Sequence, residues 1–310
     1  MRPIGWAGLL IAALFLICFI PSFASADGGI SDGLPYPRTI EDDQNVSVTL
    51  DKAPERIVSI APSNTELLFA LGLDDRIVGD TEYCNYPVEA QKKEKIGGFS
   101  TVSIEKVAAL NPDLVVAADG NKPDTIDRIR SLGIPVYFSD ATSLNHIQKT
   151  LEHIGYLTGV SDKAKKLNNE LSSRSDLVKM EGENIEKHPS VAHVIWNDPI
   201  YVSGSGTFQD ELIRIAGGEN AFGDKVGHSI ASVEEFISRD PDLLMINAGS
   251  GMGGNESDLS DYFRTDPRLS GLSAIQQNHV MIVNTNIADR AGPRQWDLLE
   301  QIAPEIREMA

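Results

Sequence analysis

Two stretches of this 310-residue chain, about 130 residues apart, carry the same pattern: SIEKVAALNPDLVVAADG from Ser103 to Gly120, and SVEEFISRDPDLLMINAG from Ser232 to Gly249. Each opens on a serine suited to cap a helix, with an acid two residues on, Glu105 and Glu234, near the positive end of the helix dipole. Apolar residues follow at helical spacing, Ile104, Val107 and Ala108 in one copy and Val233, Phe236 and Ile237 in the other. A Pro-Asp pair then stops the helix, and an aliphatic run reads as a buried strand. A short helix feeding a buried parallel strand is an α/β building block, so two copies predict two α/β lobes.

The remaining segments fit that frame. Arg56–Ile60 and Arg76–Val78 read as strands flanking a helix that Ser63 or Asn64 caps, with Glu66 in its first turn. Ile134–Phe138 reads as a strand after a helix over Pro123–Leu132. In the second half, Val191–Trp196 and Val280–Val283 read as strands, and Phe208–Ala216 and Gln295–Met309 as helices. Between the halves, Ser161–Lys187 is charged, rich in helix formers and free of proline, and reads as one long helix that joins the lobes. The fold class expected is therefore α/β: two α/β lobes joined by a single long helix. The expected divisions are 54–141, 142–188 and 189–310.

The first 26 residues combine Arg2, an apolar run from Trp6 to Ile20 and Ala24-Ser25-Ala26, the layout of a secretory signal peptide. The run is shorter than the ~20 residues that span a bilayer comfortably. Export to the periplasm or cell surface is expected, with retention of the segment as an anchor as the alternative. Cys18 lies inside the run, so Cys84 would be the one cysteine of the processed chain and no internal disulfide is expected. Residues 27–53, rich in Gly, Asp and Pro, read as a flexible leader. With 45 acidic and 27 basic residues, net charge −18, nucleic acid and anionic membranes are poor partners, and a monomer is expected.

Signals for catalysis are weak. His146, His153, His188, His193, His228 and His279 form no zinc-enzyme cluster, and no G-x-S-x-G elbow or P-loop is present. Gly249-x-Gly251-x-x-Gly254 follows a strand as a dinucleotide fingerprint would, but it leads into Asn255-Glu256-Ser257-Asp258 without the second strand and acid that fingerprint needs. A nucleotide-using α/β enzyme is thus the weaker alternative.

From residue 54 to 308 the chain resembles the substrate-binding proteins of ABC importers for cobalamin, haem and ferric siderophores. The resemblance rests on the order and spacing of RIVSIAPSNTE (Arg56–Glu66), Tyr83–Pro87, Gly97-Gly98-Phe99, Asn111–Leu114, Gly217–Asn220 and Gly292-Pro293-Arg294, and is greatest for cobalamin binders. It implies a non-catalytic binding protein that captures a corrinoid and delivers it to ABC permease subunits, with haem or a ferric siderophore as the alternative cargo. No cofactor is implied beyond that cargo. It also implies a cleft contact set of Tyr83, Phe99, Tyr201, His228, Asn286 and Arg290, and permease docking through Glu105 and Glu234. Aromatic faces and hydrogen-bond donors suit a planar ring fringed by amides. Core packing is the plain alternative for each aromatic, and a surface ion pair with Asp289 for Arg290. His228 stands where cobalamin binders tend to place an aromatic; its imidazole is a candidate axial ligand to cobalt or iron, and it weighs towards haem, which a tyrosine such as Tyr83 or Tyr201 would also ligate.

Overall fold

The computed structural model describes residues 32–249 and 259–310. The segment read as a signal peptide, the Gly251–Gly254 part of the glycine loop and Asn255–Ser257 lie outside them.

In chain order, β1 (Arg38–Glu41) and β2 (Ser47–Leu50) form an antiparallel hairpin. Then come β3 (Ile57–Ser59), α1 (Pro62–Ala70), β4 (Ile77–Gly79), α2 (Ile104–Ala109), β5 (Leu114–Ala118), α3 (Pro123–Ser131) and β6 (Val136–Ser139). Their strands make an all-parallel sheet in the order β4-β3-β5-β6. Two helices follow, α4 (Leu144–Thr158) and α5 (Ser161–Gly182). The second half holds β7 (Ser190–Asn197), β8 (Ile200–Ser203), α6 (Phe208–Ile215), β9 (Glu219–Asn220), β10 (His228–Ile230), α7 (Val233–Arg239), β11 (Leu243–Ala248), α8 (Leu259–Thr265), α9 (Ser273–Gln276), β12 (Val280–Asn284), α10 (Thr285–Ala288) and α11 (Gln295–Glu308). Its sheet runs β10-β8-β7-β11-β12, with β9 beside the start of β7; β7, β11 and β12 are parallel and β8 and β10 antiparallel to their neighbours.

The repeated sequence is one structural unit used twice. Ser103 Oγ accepts the Lys106 amide at the start of α2, and Ser232 Oγ accepts the Glu235 amide at the start of α7, where Glu235 completes a capping box. Each helix is followed by a residue at positive φ, Asn111 (44°) and Asp240 (39°), which turns the chain out before the proline. The aspartate after each proline then reaches the neighbouring strand. Asp113 accepts the Glu55 and Arg56 amides (3.0 and 2.9 Å) ahead of β3, and Asp242 accepts the Ser190 amide (2.9 Å) opening β7. Pro-Asp therefore ends a helix and also fastens the first strand of its lobe.

Alternation along the strands sorts the core. Val115 and Ala117 face a cluster under α2 and α3, and Leu244 and Ile246 face one built on Phe222, Phe236 and Phe263. Leu114 and Val116, with Leu243 and Met245, face a single apolar cluster that runs through α1, α4, α5, α6 and α11 and so belongs to both sheets.

Three expectations are corrected. Residues 38–50, read within a flexible leader, are an ordered hairpin: fully buried Arg38 pairs with Asp32 at 2.6 Å, donates to the Leu34 and Tyr156 carbonyls, and lies over the Tyr36 and Tyr156 rings. Arg38 holds the Asp32 carboxyl far below the usual carboxylate range, and Asp32 also accepts the Ser161 hydroxyl at the start of α5. Second, α1 is capped by neither Ser63 nor Asn64; Ala61 is the N-cap and Pro62 takes the first turn. Third, the long helix ends at Gly182 rather than Lys187. A side chain at Gly182 would lie 2.7 Å from the Ile215 carbonyl, so the close crossing of the ends of α5 and α6 admits only glycine.

Candidate functional site

The C-terminal ends of β3, β5 and β6 carry loops that face the start of α6, the start of β10 and the α10–α11 turn. They enclose a partly open cleft of about 380 Å³, where open α/β sheets characteristically place ligands. Pro62, Ser63 and Asn64, Phe99, Asp119 and Asp140 line it from the first half; Thr207–Gln209, His228 and Ala288–Ala291 line it from the second.

Phe99 is held by two devices. Asn121, buried, donates to the Ile60 and Phe99 carbonyls (2.8 and 2.9 Å) and accepts the Ala118 amide (2.9 Å), tying the Phe99 loop to the strand ends. Gly120 at φ +87° then passes under the ring, where a Cβ would come within 2.5 Å of it. Of the six cleft residues implied by resemblance, Phe99, His228 and Arg290 line the hollow together; Tyr83, Tyr201 and Asn286 do not.

Arg290 is not in a surface ion pair with Asp289. It is 6% exposed, and its guanidinium donates to Glu66 Oε1 (3.1 Å), Asn85 Oδ1 (2.8 Å), Asn286 Oδ1 (2.7 Å) and the Tyr83 carbonyl (3.0 Å). Arg294 adds two bonds to the same Glu66 carboxylate (2.6 and 2.9 Å) and lies over the Tyr86 ring. Two arginines of the second half thus share one buried carboxylate of α1, and Tyr83, Asn85 and Asn286 complete the cluster. Gly292 allows this approach, since a Cβ there would lie 3.1 Å from Glu66 Oε2.

His228 opens to the cleft, with Nδ1 3.4 Å from Ser203 Oγ, and the surrounding protein holds its pKa below the ordinary value by desolvation. Register explains Tyr201. It pairs with Ile230 on β10 and Trp196 on β7, and opposed residues share a face, so Trp196, Tyr201 and Ile230 form a strip beside His228. Trp196 and Ile230 are 44% and 53% exposed. Neither was singled out in the sequence, because a strand's exposed face shows only once its pairing is known.

The cleft is acidic. Asp119, Asp140 and Asp289 line it, and Arg290, the one Lys or Arg among its described lining residues, shares the Glu66 carboxylate with Arg294. Burial, then the neighbouring Asp119 charge, pushes the Asp140 carboxyl up; burial pushes Asp289 up to about 6, against the hydrogen bond from Asn247. Among the described residues no group of three or more His, Cys, Asp or Glu is placed to hold a metal ion, and no helix is long and apolar enough to cross a membrane. Cys84 is buried, its thiol against Thr65 and Thr81 and its pKa raised by burial.

Glu105 and Glu234 lie outside the cleft, each fully solvent-facing in the first turn of its helix. The helix amide and the capping serine hold both carboxyls below their usual value.

Residues 57–286 match the periplasmic binding protein family model. The uncharacterized ABC transporter substrate-binding lipoprotein YvrC of Bacillus subtilis is 32% identical over 309 residues, covering 97% of this chain and 96% of that protein. The vitamin B12-binding protein of Vibrio cholerae is 27% identical over 256 residues, 82% of this chain and 89% of its own. Among solved structures, the vitamin B12 binding protein BtuF of Vibrio cholerae superposes with a TM-score of 0.70 at 26% identity, covering 83% of this chain and 98% of that one. The heme-binding protein RhuT of Roseiflexus gives 0.73 at 26%, covering 82% and 98%.

Proposed function

Because the chain belongs to the periplasmic binding protein family, whose members bind solutes rather than catalyse reactions, we propose that it captures a corrinoid and hands it to an ABC importer. The two-lobed α/β architecture is that of the family's solved structures. Export through the N-terminal segment agrees with an extracytoplasmic role, and the Bacillus relative is a lipoprotein of an ABC transporter.

The observation that carries the choice of cargo is the charge of the cleft. Three carboxylates line it against one arginine among its described lining residues, and that arginine is held by the Glu66 carboxylate it shares with Arg294. Haem brings two propionates, and catecholate or carboxylate ferric siderophores bring net negative charge, so these would meet the like charge of the three carboxylates. A corrinoid offers a rim of neutral amides, whose N–H groups find acceptors in Asp119, Asp140 and Asp289. Phe99 and the Trp196–Tyr201–Ile230 strip supply apolar surface for the ring. His228 adds an imidazole facing the metal position.

Glu105 and Glu234 stand at matching sites on the two repeats, outside the cleft. In our reading they dock on cationic side chains of the permease and fix orientation on a partner of two-fold design.

Calorimetric titration with cobalamin, cobinamide, haemin and a ferric hydroxamate tests the cargo. Tight binding of cobalamin or cobinamide alone is the expected result. Preference for haemin or the hydroxamate would overturn the corrinoid reading and leave the family intact.

A further inference from the structure

One hydrogen-bonded chain crosses the second sheet and ends in the cleft at both sides. Asn247 Nδ2 meets the Asp289 carboxylate at 3.0 and 3.2 Å. Asn247 Oδ1 meets His193 Nε2 at 2.9 Å, and His193 Nδ1 meets Ser203 Oγ at 2.8 Å. Ser203 Oγ meets His228 Nδ1 at 3.4 Å. Strands β11, β7, β8 and β10 supply one member each, and their register puts His193 opposite Met245 and Ser203 opposite His228. His193 and Ser203 are fully buried and Asn247 is 1% exposed, whereas Asp289 and His228 line the cleft.

The direction of every bond follows from what each group can donate. A carboxylate only accepts, so Asn247 turns its amide nitrogen to Asp289 and its oxygen to His193. That oxygen only accepts, so His193 carries its proton on Nε2. Buried between two uncharged partners, His193 stays neutral; burial brings it down to about 4. Its bare Nδ1 then takes the single hydroxyl proton of Ser203 in preference to Gln209 Oε1, which lies further away at 3.4 Å. Ser203 Oγ is left to accept, so His228 offers Nδ1–H and keeps its lone pair on Nε2, at the other corner of the ring.

We propose that Asn247, His193 and Ser203 are positioning residues that hold His228 in the Nδ1–H form, so that its Nε2 lone pair is presented to the cobalt or iron atom of the cargo. The inference rests on the cargo being a metal chelate. Nε2 donates its pair to the metal and an axial water leaves with its own pair, with no change of oxidation state. A ligating imidazole fixed through its other nitrogen is the usual arrangement of a tuned metal ligand.

Two measurements test it. Ring ¹⁵N spectra of the cargo-free protein, in mildly alkaline buffer and assigned with His228→Ala and His193→Gln, should show bare nitrogens at His228 Nε2 and His193 Nδ1. Ser203→Ala should return His228 towards the Nε2–H form that an unconstrained histidine side chain favours, and Ser203→Thr should not. An Nε2 proton on His228 in the unaltered protein overturns the proposal, whatever the cargo. The second uses diaquacobinamide, whose axial waters exchange, against cyanocobalamin, whose axial positions are filled. The visible bands of the former should move to those of nitrogen-ligated cobalt. Ligation should be lost in His228→Ala, weakened about 10-fold in Ser203→Ala and kept in Ser203→Thr. Binding of both corrinoids with no band shift overturns the axial role and leaves corrinoid capture standing. If neither corrinoid binds, the haemin Soret band reads the same ligation. Silence from all three overturns the cargo reading and the axial role together.

Discussion

Gly120 and Phe99 show how one backbone conformation sets a cleft wall. Gly120 combines φ +87° with a ring 2.5 Å from where a Cβ would stand, so Gly120→Ala must both strain the backbone and displace Phe99. The expected outcome is a loss of more than about 1 kcal/mol of stability together with weaker cargo binding, read by denaturant titration and calorimetry on one preparation. Unchanged affinity in a folded variant would remove Phe99 from the contact surface. Asp80 offers a pH-dependent case away from the cleft. Its side chain is fully buried, bonded through one oxygen to Lys95 at 2.6 Å, and burial raises its pKa from 3.8 to about 6 despite that partner. Between those values the folded state binds the proton more tightly, so stability falls as pH rises through the window. A displacement of that size corresponds to roughly 3 kcal/mol. Lys95 also donates to the Thr81, Cys84 and Ala90 carbonyls and stays partnered without the carboxylate. Asp80→Asn should therefore gain on the unaltered protein by ~1–3 kcal/mol between pH 4 and pH 7; a pH-independent difference in urea midpoints would refute it. Little of this was legible beforehand. His228 stood out by its type, but Ser203, His193 and Asn247 behind it are ordinary residues until strand register makes them neighbours.

At the scale of elements, what the sequence revealed was local. The helix–Pro-Asp–strand unit was readable twice because its cap, its stop signal and its apolar alternation lie within eighteen residues. The leader was misread because its order comes from Arg38, whose Tyr156 carbonyl partner lies 118 residues away. The same holds for the Glu66–Arg290–Arg294 cluster, whose members are 224 and 228 residues apart. Glu66 looked like a first-turn acid; it is the buried counter-ion that lets α1 pack against the α10–α11 turn. Removing it leaves two guanidinium groups facing each other with little water. Glu66→Ala should cost about 3–5 kcal/mol and loosen the contact between the two halves, the latter visible as faster hydrogen exchange at the starts of α1 and α11. A loss under about 1 kcal/mol would mean that the cluster behaves as a surface ion pair and does not fasten the halves together.

For the whole molecule, the main apolar core passes through both sheets, and α5 lies along it. A helix of 22 residues is about 33 Å long. It packs on α4, and its Arg174 bonds Asp297 and Glu300 of α11. With this shared core on one side and the Glu66 cluster on the other, wide separation of the halves would expose apolar surface and buried charge together. Small adjustments at the cleft rim are what the architecture favours, and the expected outcome is an outer surface that changes little on loading. Such a carrier suits a permease that reads fixed landmarks. Glu105 and Glu234 qualify: each follows the capping serine of an equivalent helix, each is fully exposed, and each stays ionised because helix amides and serine stabilise the carboxylate. Reversing both, Glu105→Lys with Glu234→Lys, replaces two attractions by like-charge contacts that cost several kcal/mol, so transport in reconstituted vesicles should fall ~100-fold or more. Cargo affinity should not change, because neither residue lines the cleft. One reversal alone should lower transport less, since the second landmark still sets orientation. Raising salt should weaken docking of the unaltered protein more than that of the double variant, because exposed charges are screened. Full transport by the double variant would reduce both glutamates to helix-start charges worth ~0.3–1 kcal/mol each, and the symmetry of the two repeats would then be a feature of folding alone.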